Sequence, residues 1–107
     1  MTDTEFEALA ETVLAAVERA IDAAGLDIDI RVKGAGMLEL EFQDGSKMIV
    51  NRHAAAREIW VAAKSGGFHF RHDGKAWRDT RDGAELFAAL SKLVSAQGGA
   101  AVILTPG

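Results

Sequence analysis

Apolar positions recur with two different periods along this chain, and the change of period marks where helix gives way to sheet. Between residues 4 and 24, Phe6, Leu9, Ala10, Val13, Leu14, Val17 and Ile21 follow one another at steps of three and four. That spacing lines one stripe of an amphipathic helix. Thr2 with Glu5, or Thr4 with Glu7, matches a capping box, in which hydroxyl and carboxylate satisfy free amides of the first turn. Gly25 is the expected stop, because glycine takes the left-handed conformation past a last turn without penalty.

From residue 28 the period falls to two. Ile28, Ile30 and Val32 alternate with Asp29 and Arg31, and after Gly34-Ala35-Gly36 the residues Leu38, Leu40 and Phe42 alternate with Glu39 and Glu41. Asp44-Gly45 marks a hairpin before a strand over residues 47–51. Two further strands are expected over 58–63 and 68–71, separated by Lys64-Ser65-Gly66-Gly67, and a short one over 77–80 after the Asp73-Gly74 turn. Clean alternation implies antiparallel strands with one covered face and one wet face. The helical period returns from Gly83, with Leu86, Phe87, Leu90, Leu93 and Val94 on one stripe, Asp82 as expected N-cap and Gly98-Gly99 as the end. The apolar tail Ala101–Leu104 is expected to cover the gap between the helices. The prediction is therefore an α+β fold in one domain, residues 1–107: helix, antiparallel sheet of about six strands, helix, stacked as a two-layer sandwich.

Composition narrows the chemistry. With 107 residues, 49% of them apolar and 26% charged, the chain has room for one core. It has no cysteine, which excludes disulfides, thiolate catalysis and any cluster held by cysteine sulfur, so a bound metal would need oxygen or imidazole ligands. No apolar run has the length of a membrane span, and the acidic N-terminus is unlike the basic start of a signal peptide, so a cytoplasmic location without membrane contact is expected. Net charge is −4, unevenly spread: residues 1–30 hold eight acids and one base, leaving eight acids and eleven bases for the rest. An acidic front end steers toward cations or a basic partner and argues against nucleic acid.

The acids of the first helix carry the sharpest pattern. Glu7, Glu11, Glu18 and Asp22 are spaced by four, seven and four, which places them within roughly 60° of one another around the helix. Like charges four residues apart are mildly destabilising, and Asp22 lies at the end of the helix that disfavours anions. A solvated acidic face would have the same spacing. Asp27 and Asp29 extend the strip toward the first strand, and carboxylates spread in this way would hold hard cations weakly, with most of the ion's shell still water. His53, His69 and His72 have no ligand spacing and read as surface or hydrogen-bonded histidines. Alternation puts Ile59, Val61 and Ala63 on the apolar side, so Trp60 falls on the wet side, where a large aromatic suits an interface anchor. A core position for Trp60 would require the strand to be phased the other way. Asn51 shares that outer face, and Trp77 reads as structural. No nucleophile with an adjacent base and no phosphate-binding loop is present, so the protein is read as a non-enzyme.

The run Asp44-Gly45-Ser46-Lys47-Met48-Ile49-Val50-Asn51-Arg52, then Ile59-Trp60-Val61-Ala62 and Gly66-Gly67-Phe68-His69-Phe70, resembles the central signature of the frataxins. Trp77, Asp82-Gly83, Leu86 and Leu90 continue it, and Asp3-Thr4-Glu5-Phe6 with Leu9-Ala10 resembles the opening of the bacterial (CyaY) members. The match runs in order through nearly the whole chain. It implies two roughly parallel helices on one face of an antiparallel sheet, and weak surface binding of ferrous and ferric iron at an acidic ridge. Carried over by position, that ridge is Glu11, Glu18, Asp22, Asp27 and Asp29, extended by Glu7. The resemblance further implies regulation of iron–sulfur cluster assembly through docking on a cysteine desulfurase and its scaffold protein. Glu18 and Asp22 would dock from the helix, and Asn51, Arg52 and Trp60 from the sheet. The protein would be a monomer, with oligomerisation under excess iron left open. Two other readings stay open: an iron chaperone or ferroxidase-like store, and a sheet-based binding module unrelated to iron. This chain departs from the bacterial pattern at Arg19, Ala23 and Ala24, which dilute the acids late in the helix, and at Arg31 and Lys33, which bring positive charge onto the next strand. Fewer or weaker iron sites than in a densely acidic relative are expected.

Overall fold

The computed structural model describes residues 1–107. Helix α1 (Asp3–Ala23) is followed by strands β1 (Asp29–Lys33), β2 (Met37–Glu41), β3 (Lys47–His53), β4 (Glu58–Ala63), β5 (Gly66–His72) and β6 (Trp77–Asp79), and then by helix α2 (Leu86–Gly98). The six strands form one sheet in chain order, every neighbouring pair antiparallel. Alternate strand residues Leu38, Leu40, Met48, Val50, Ile59, Val61 and Phe70 meet Phe6, Ala10, Val13, Leu14, Val17 and Ile21 of α1 and Leu86, Phe87, Leu90 and Val94 of α2 in a single buried cluster. Both helices therefore lie on one face of the sheet, and the other face has no layer above it. The expected two-layer α+β sandwich is the fold observed.

Local chemistry explains the ends of the elements. Of the two possible capping boxes, the one at Thr2 forms: its hydroxyl accepts from the Glu5 amide at 3.1 Å, and the Glu5 carboxylate accepts from the Thr2 amide at 2.9 Å. Gly25, with φ 65°, follows the last turn of α1 in the left-handed conformation that glycine tolerates. Helix α2 starts later than expected. Glu85, not Asp82, is its cap, accepting from the amides of Phe87 at 2.8 Å and Ala88 at 3.1 Å. Asp82 instead closes a turn by accepting from the Ala84 amide at 2.9 Å. After a turn over residues 80–82, a bridge between Arg78 and Glu85 holds Glu85 extended, so the helix begins only beyond it.

Strand β3 runs two residues beyond the expected 47–51, and β5 begins at Gly66, so Lys64 and Ser65 alone link β4 to β5. The edge strand β6 is anchored by Trp77, which is buried and meets the ring of Phe6 edge-on at 6.1 Å between centroids, joining the start of α1 to the last strand. The C-terminal tail is pinned to α2 by two serines. The Ser95 hydroxyl accepts from the Val102 amide at 2.9 Å, and the Ser91 hydroxyl accepts from the Leu104 amide at 2.8 Å. Leu104 enters the core, and Ile103, Thr105 and Pro106 line a shallow groove with Ala20, Ala23 and Ala24 of α1. The tail thus lies between the two helices, as its apolar character predicts. Leu104→Ala should cost about 2–4 kcal/mol in urea unfolding, the range for a buried leucine whose cavity cannot fully collapse. A loss well below about 1 kcal/mol would show that the tail is not part of the core.

Candidate functional site

The carboxylate stripe of α1 runs along the flank of the helix, beside the buried stripe. Glu11 and Asp22 are exposed, while Glu7 and Glu18 are half-buried. Glu11 and Glu18 border an open groove whose far wall is Val32, Gly34 and Gly36 on β1 and the β1–β2 turn. Asp27 lies beyond the end of the helix and accepts a hydrogen bond from the Gln43 side chain. Asp29 is separated from the ridge by the pleat of β1. Val32 of that strand faces the helix, whereas Arg31, on the same side as Asp29, bonds to Glu41 across the ladder on the opposite face. No three histidine, aspartate or glutamate side chains converge on a point that could hold a metal ion. The stripe offers separate carboxylates to a largely hydrated cation, not a closed coordination cage.

The same alternation divides the residues expected to form the sheet surface. Asn51 stands opposite Trp60, whereas Arg52 stands opposite the core residue Ile59, because successive strand residues point to opposite faces. Arg52 therefore lies on the helix side of the sheet, where its guanidinium pairs with the Glu7 carboxylate. Motif order had grouped Asn51, Arg52 and Trp60; geometry leaves Asn51 and Trp60 together on the outer face and gives Arg52 to the ridge.

On the outer face Trp60 is the centre of a ring stack. His53 lies against one side of the indole at 3.8 Å between centroids and 7° between planes, and His69 lies against the other at 4.5 Å and 9°. The indole Nε1 donates to Glu58 Oε1 at 2.9 Å, and Arg71 donates to Glu58 Oε2 at 2.7 Å. Burial pushes the Glu58 carboxyl up, but hydrogen bonds from Trp60 and Arg71 and the charges of Arg71 and His69 outweigh it, leaving the group below its usual range. These contacts hold Trp60 half-exposed in one orientation. Reading the histidines singly missed this role. The available signal was register: His69 is directly across from Trp60, and His53 is one diagonal step away on β3. His72 instead packs edge-on against Trp77.

Glu39 is a second feature the sequence did not disclose. It lies on the bare face yet is only 4% exposed. Lys33 Nζ is 2.6 Å from one carboxylate oxygen, Lys47 Nζ is 3.0 Å from the other, and Arg31 is 4.0 Å away. The close ammonium groups of Lys33 and Lys47 hold its carboxyl at about 2 against the opposing effect of burial. Arg31 and Lys33, expected to offset the acidic ridge, thus spend their charge on Glu39 and Glu41 on the opposite side of the sheet.

Comparison with known proteins gives one consistent family. A family profile described as a frataxin-like domain matches residues 1–100. The chain is 57% identical over 104 residues to the iron-sulfur cluster assembly protein CyaY of Dechloromonas aromatica, covering 97% of this chain and 99% of that one. It is 53% identical over 108 residues to the protein of the same name from Cupriavidus metallidurans, covering 97% and 96%. Among solved structures, frataxin from Psychromonas ingrahamii superposes with a TM-score of 0.89 at 31% identity over 98% of this chain and 99% of that one. A trimeric frataxin from the yeast Saccharomyces cerevisiae, complexed with ferrous iron, shares the fold at a TM-score of 0.66 and 23% identity, over 89% and 86%.

The Glu39 clamp has a measurable acid signature. Its carboxyl sits at about 2 in the folded state against an ordinary 4.5, so ionised Glu39 stabilises the fold above the ordinary value and that contribution is lost as pH falls toward the folded one. Glu39→Gln should therefore unfold at lower urea than the parent at neutral pH, and the two midpoints should converge between about pH 5 and pH 2. A gap that stays constant across that window would show that the clamp does not depend on an ionised carboxylate.

Proposed function

The chain belongs to the frataxin-like family, and from that membership we propose that it is a non-enzymatic, iron-binding regulator of iron–sulfur cluster assembly in the cytoplasm. In this reading it acts as one domain that docks on a cysteine desulfurase and its scaffold protein. The carboxylates Glu11, Glu18 and Asp22, with Asp27 beyond the helix end, form the face that meets a basic surface, and ferrous iron bound weakly by the same carboxylates tunes that docking. Trp60 and Asn51 supply a second contact from the bare face of the sheet.

One observation carries the proposal. Along the α1 stripe only Glu7 is engaged in an ion pair; Glu11, Glu18 and Asp22 have none. Elsewhere this protein pairs its acids readily, as Asp3 with Arg57, Glu39 with Lys33 and Glu58 with Arg71 show. Carboxylates left free at close spacing on one helix side repel one another, and a cation or a basic partner relieves that repulsion. Docking of this kind is fast and sensitive to salt, since rim charges act mainly on encounter.

Reversing both Glu18 and Asp22 to lysine should weaken binding to the desulfurase–scaffold complex by about tenfold or more, since each reversal replaces an attraction with a repulsion. The circular dichroism of the variant should match that of the parent, because neither side chain is in the core. Undiminished binding by a folded double variant at physiological salt would overturn the ridge as the docking face.

A further inference from the structure

The two halves of the carboxylate stripe have the same spacing but different surroundings. Glu18 and Asp22 make no ion pair, whereas Glu7 carries the guanidinium of Arg52. We infer that Arg52 is a built-in counter-cation of the ridge, which occupies Glu7 and keeps added cations away from that end of the stripe. The inference rests on the proposed reading of the ridge as a cation-binding face and concerns how that face is regulated.

Three features hold Arg52 in this role. Its backbone amide donates to the Gly36 carbonyl at 2.9 Å, extending the β2–β3 ladder by one bond and fixing the root of the side chain. The stem then crosses Gly36 so closely that a Cβ there would lie 2.7 Å from Arg52 Cγ and 2.6 Å from Nε. Glycine at 36 is what lets the stem lie flat, and the flat stem aims the guanidinium at α1. The pair is partly sheltered, with 27% of Arg52 and 44% of Glu7 accessible, so it is less screened than a fully exposed one. Displacing the guanidinium requires a competing cation or a shift of its stem. Arg52 also borders the groove that Glu11 and Glu18 line, so a displaced guanidinium has other carboxylates within the same groove to turn to.

The test compares ferrous iron binding, under anaerobic conditions, to the parent protein and three variants, with titration calorimetry for affinity and amide broadening by the paramagnetic ion for location. Arg52→Gln removes the counter-cation. Gly36→Ala keeps the charge but pushes the stem aside. Lys64→Gln removes one positive charge, paired with Asp44 and remote from Glu7, as a control for net charge. Arg52→Gln should bind ferrous iron about fivefold more tightly, the worth of one partly sheltered ion pair, and broadening should spread from the Glu11–Asp22 stretch to Glu7. Gly36→Ala should shift the same signals in the same direction, and Lys64→Gln should behave as the parent. Parental affinity with Glu7 still unbroadened in Arg52→Gln would overturn the inference, as would an equal gain in Lys64→Gln. Should no form bind ferrous iron, the cation-binding reading of the ridge falls and takes this inference with it. Binding by the parent without a gain in Arg52→Gln removes the inference alone.

Discussion

Two helices can cover only one face of a six-stranded sheet, and most of what distinguishes this molecule follows from that geometry. Alternate residues of each strand are drawn to the helices by the burial of apolar surface. The intervening residues are left on a face with no layer above it and must keep that face ordered by their own contacts. They do so in two clusters. Around Glu39 the stems of Lys33, Lys47 and Arg31 gather over a single carboxylate. Around Trp60 two imidazoles and the Glu58–Arg71 pair fix a large ring upright on the sheet. The bare face is thus neither greasy nor loosely solvated, and an ordered aromatic among charges is suited to specific recognition.

Much of this was legible in the sequence, for definite reasons. The stripe in α1 and the period of two from Ile28 onward are burial patterns, and burial is what the sandwich enforces. Trp60 could be placed outside because Ile59 and Val61 on either side of it are core residues. What could not be read depends on contacts between strands. The His53–Trp60–His69 stack is a matter of register, and the burial of Glu39 depends on lysine stems from β1 and β3 meeting over β2. Arg52 is a different case. Its side follows from alternation alone, and grouping it with Asn51 put order in a motif ahead of the pleat of the strand. The start of α2 was misplaced because Asp82 has the chemistry of a cap, while the Arg78–Glu85 bridge that overrides it is tertiary.

The distribution of charge separates two uses of carboxylates in one small protein. Those of Glu39, Glu58 and Asp3 are matched by fixed bases and contribute to structure. Those of Glu11, Glu18 and Asp22 are unmatched, and the helix carrying them tolerates their repulsion because the adjoining stripe is deeply buried. Glu7 stands between the classes: it belongs to the free stripe by spacing and to the matched group by its contact with Arg52. The boundary between structural and available charge therefore runs along a single helix.

The strand order carries a consequence for how the chain is made. Every strand pairs with its neighbour in sequence, so each ladder closes across a short loop, at little entropic cost. The two helices that cover the sheet lie at opposite ends of the chain, with all six strands between them. During synthesis from the N-terminus the whole ladder can leave the ribosome while α2 and the tail that seats Leu104 are still inside. A nascent chain ending before Leu86 would expose the part of its apolar face that α2 later covers, and such a surface invites association with other chains. Helix α2 and the segment that seats Leu104 thus cover apolar surface that the strands and α1 leave open until they dock.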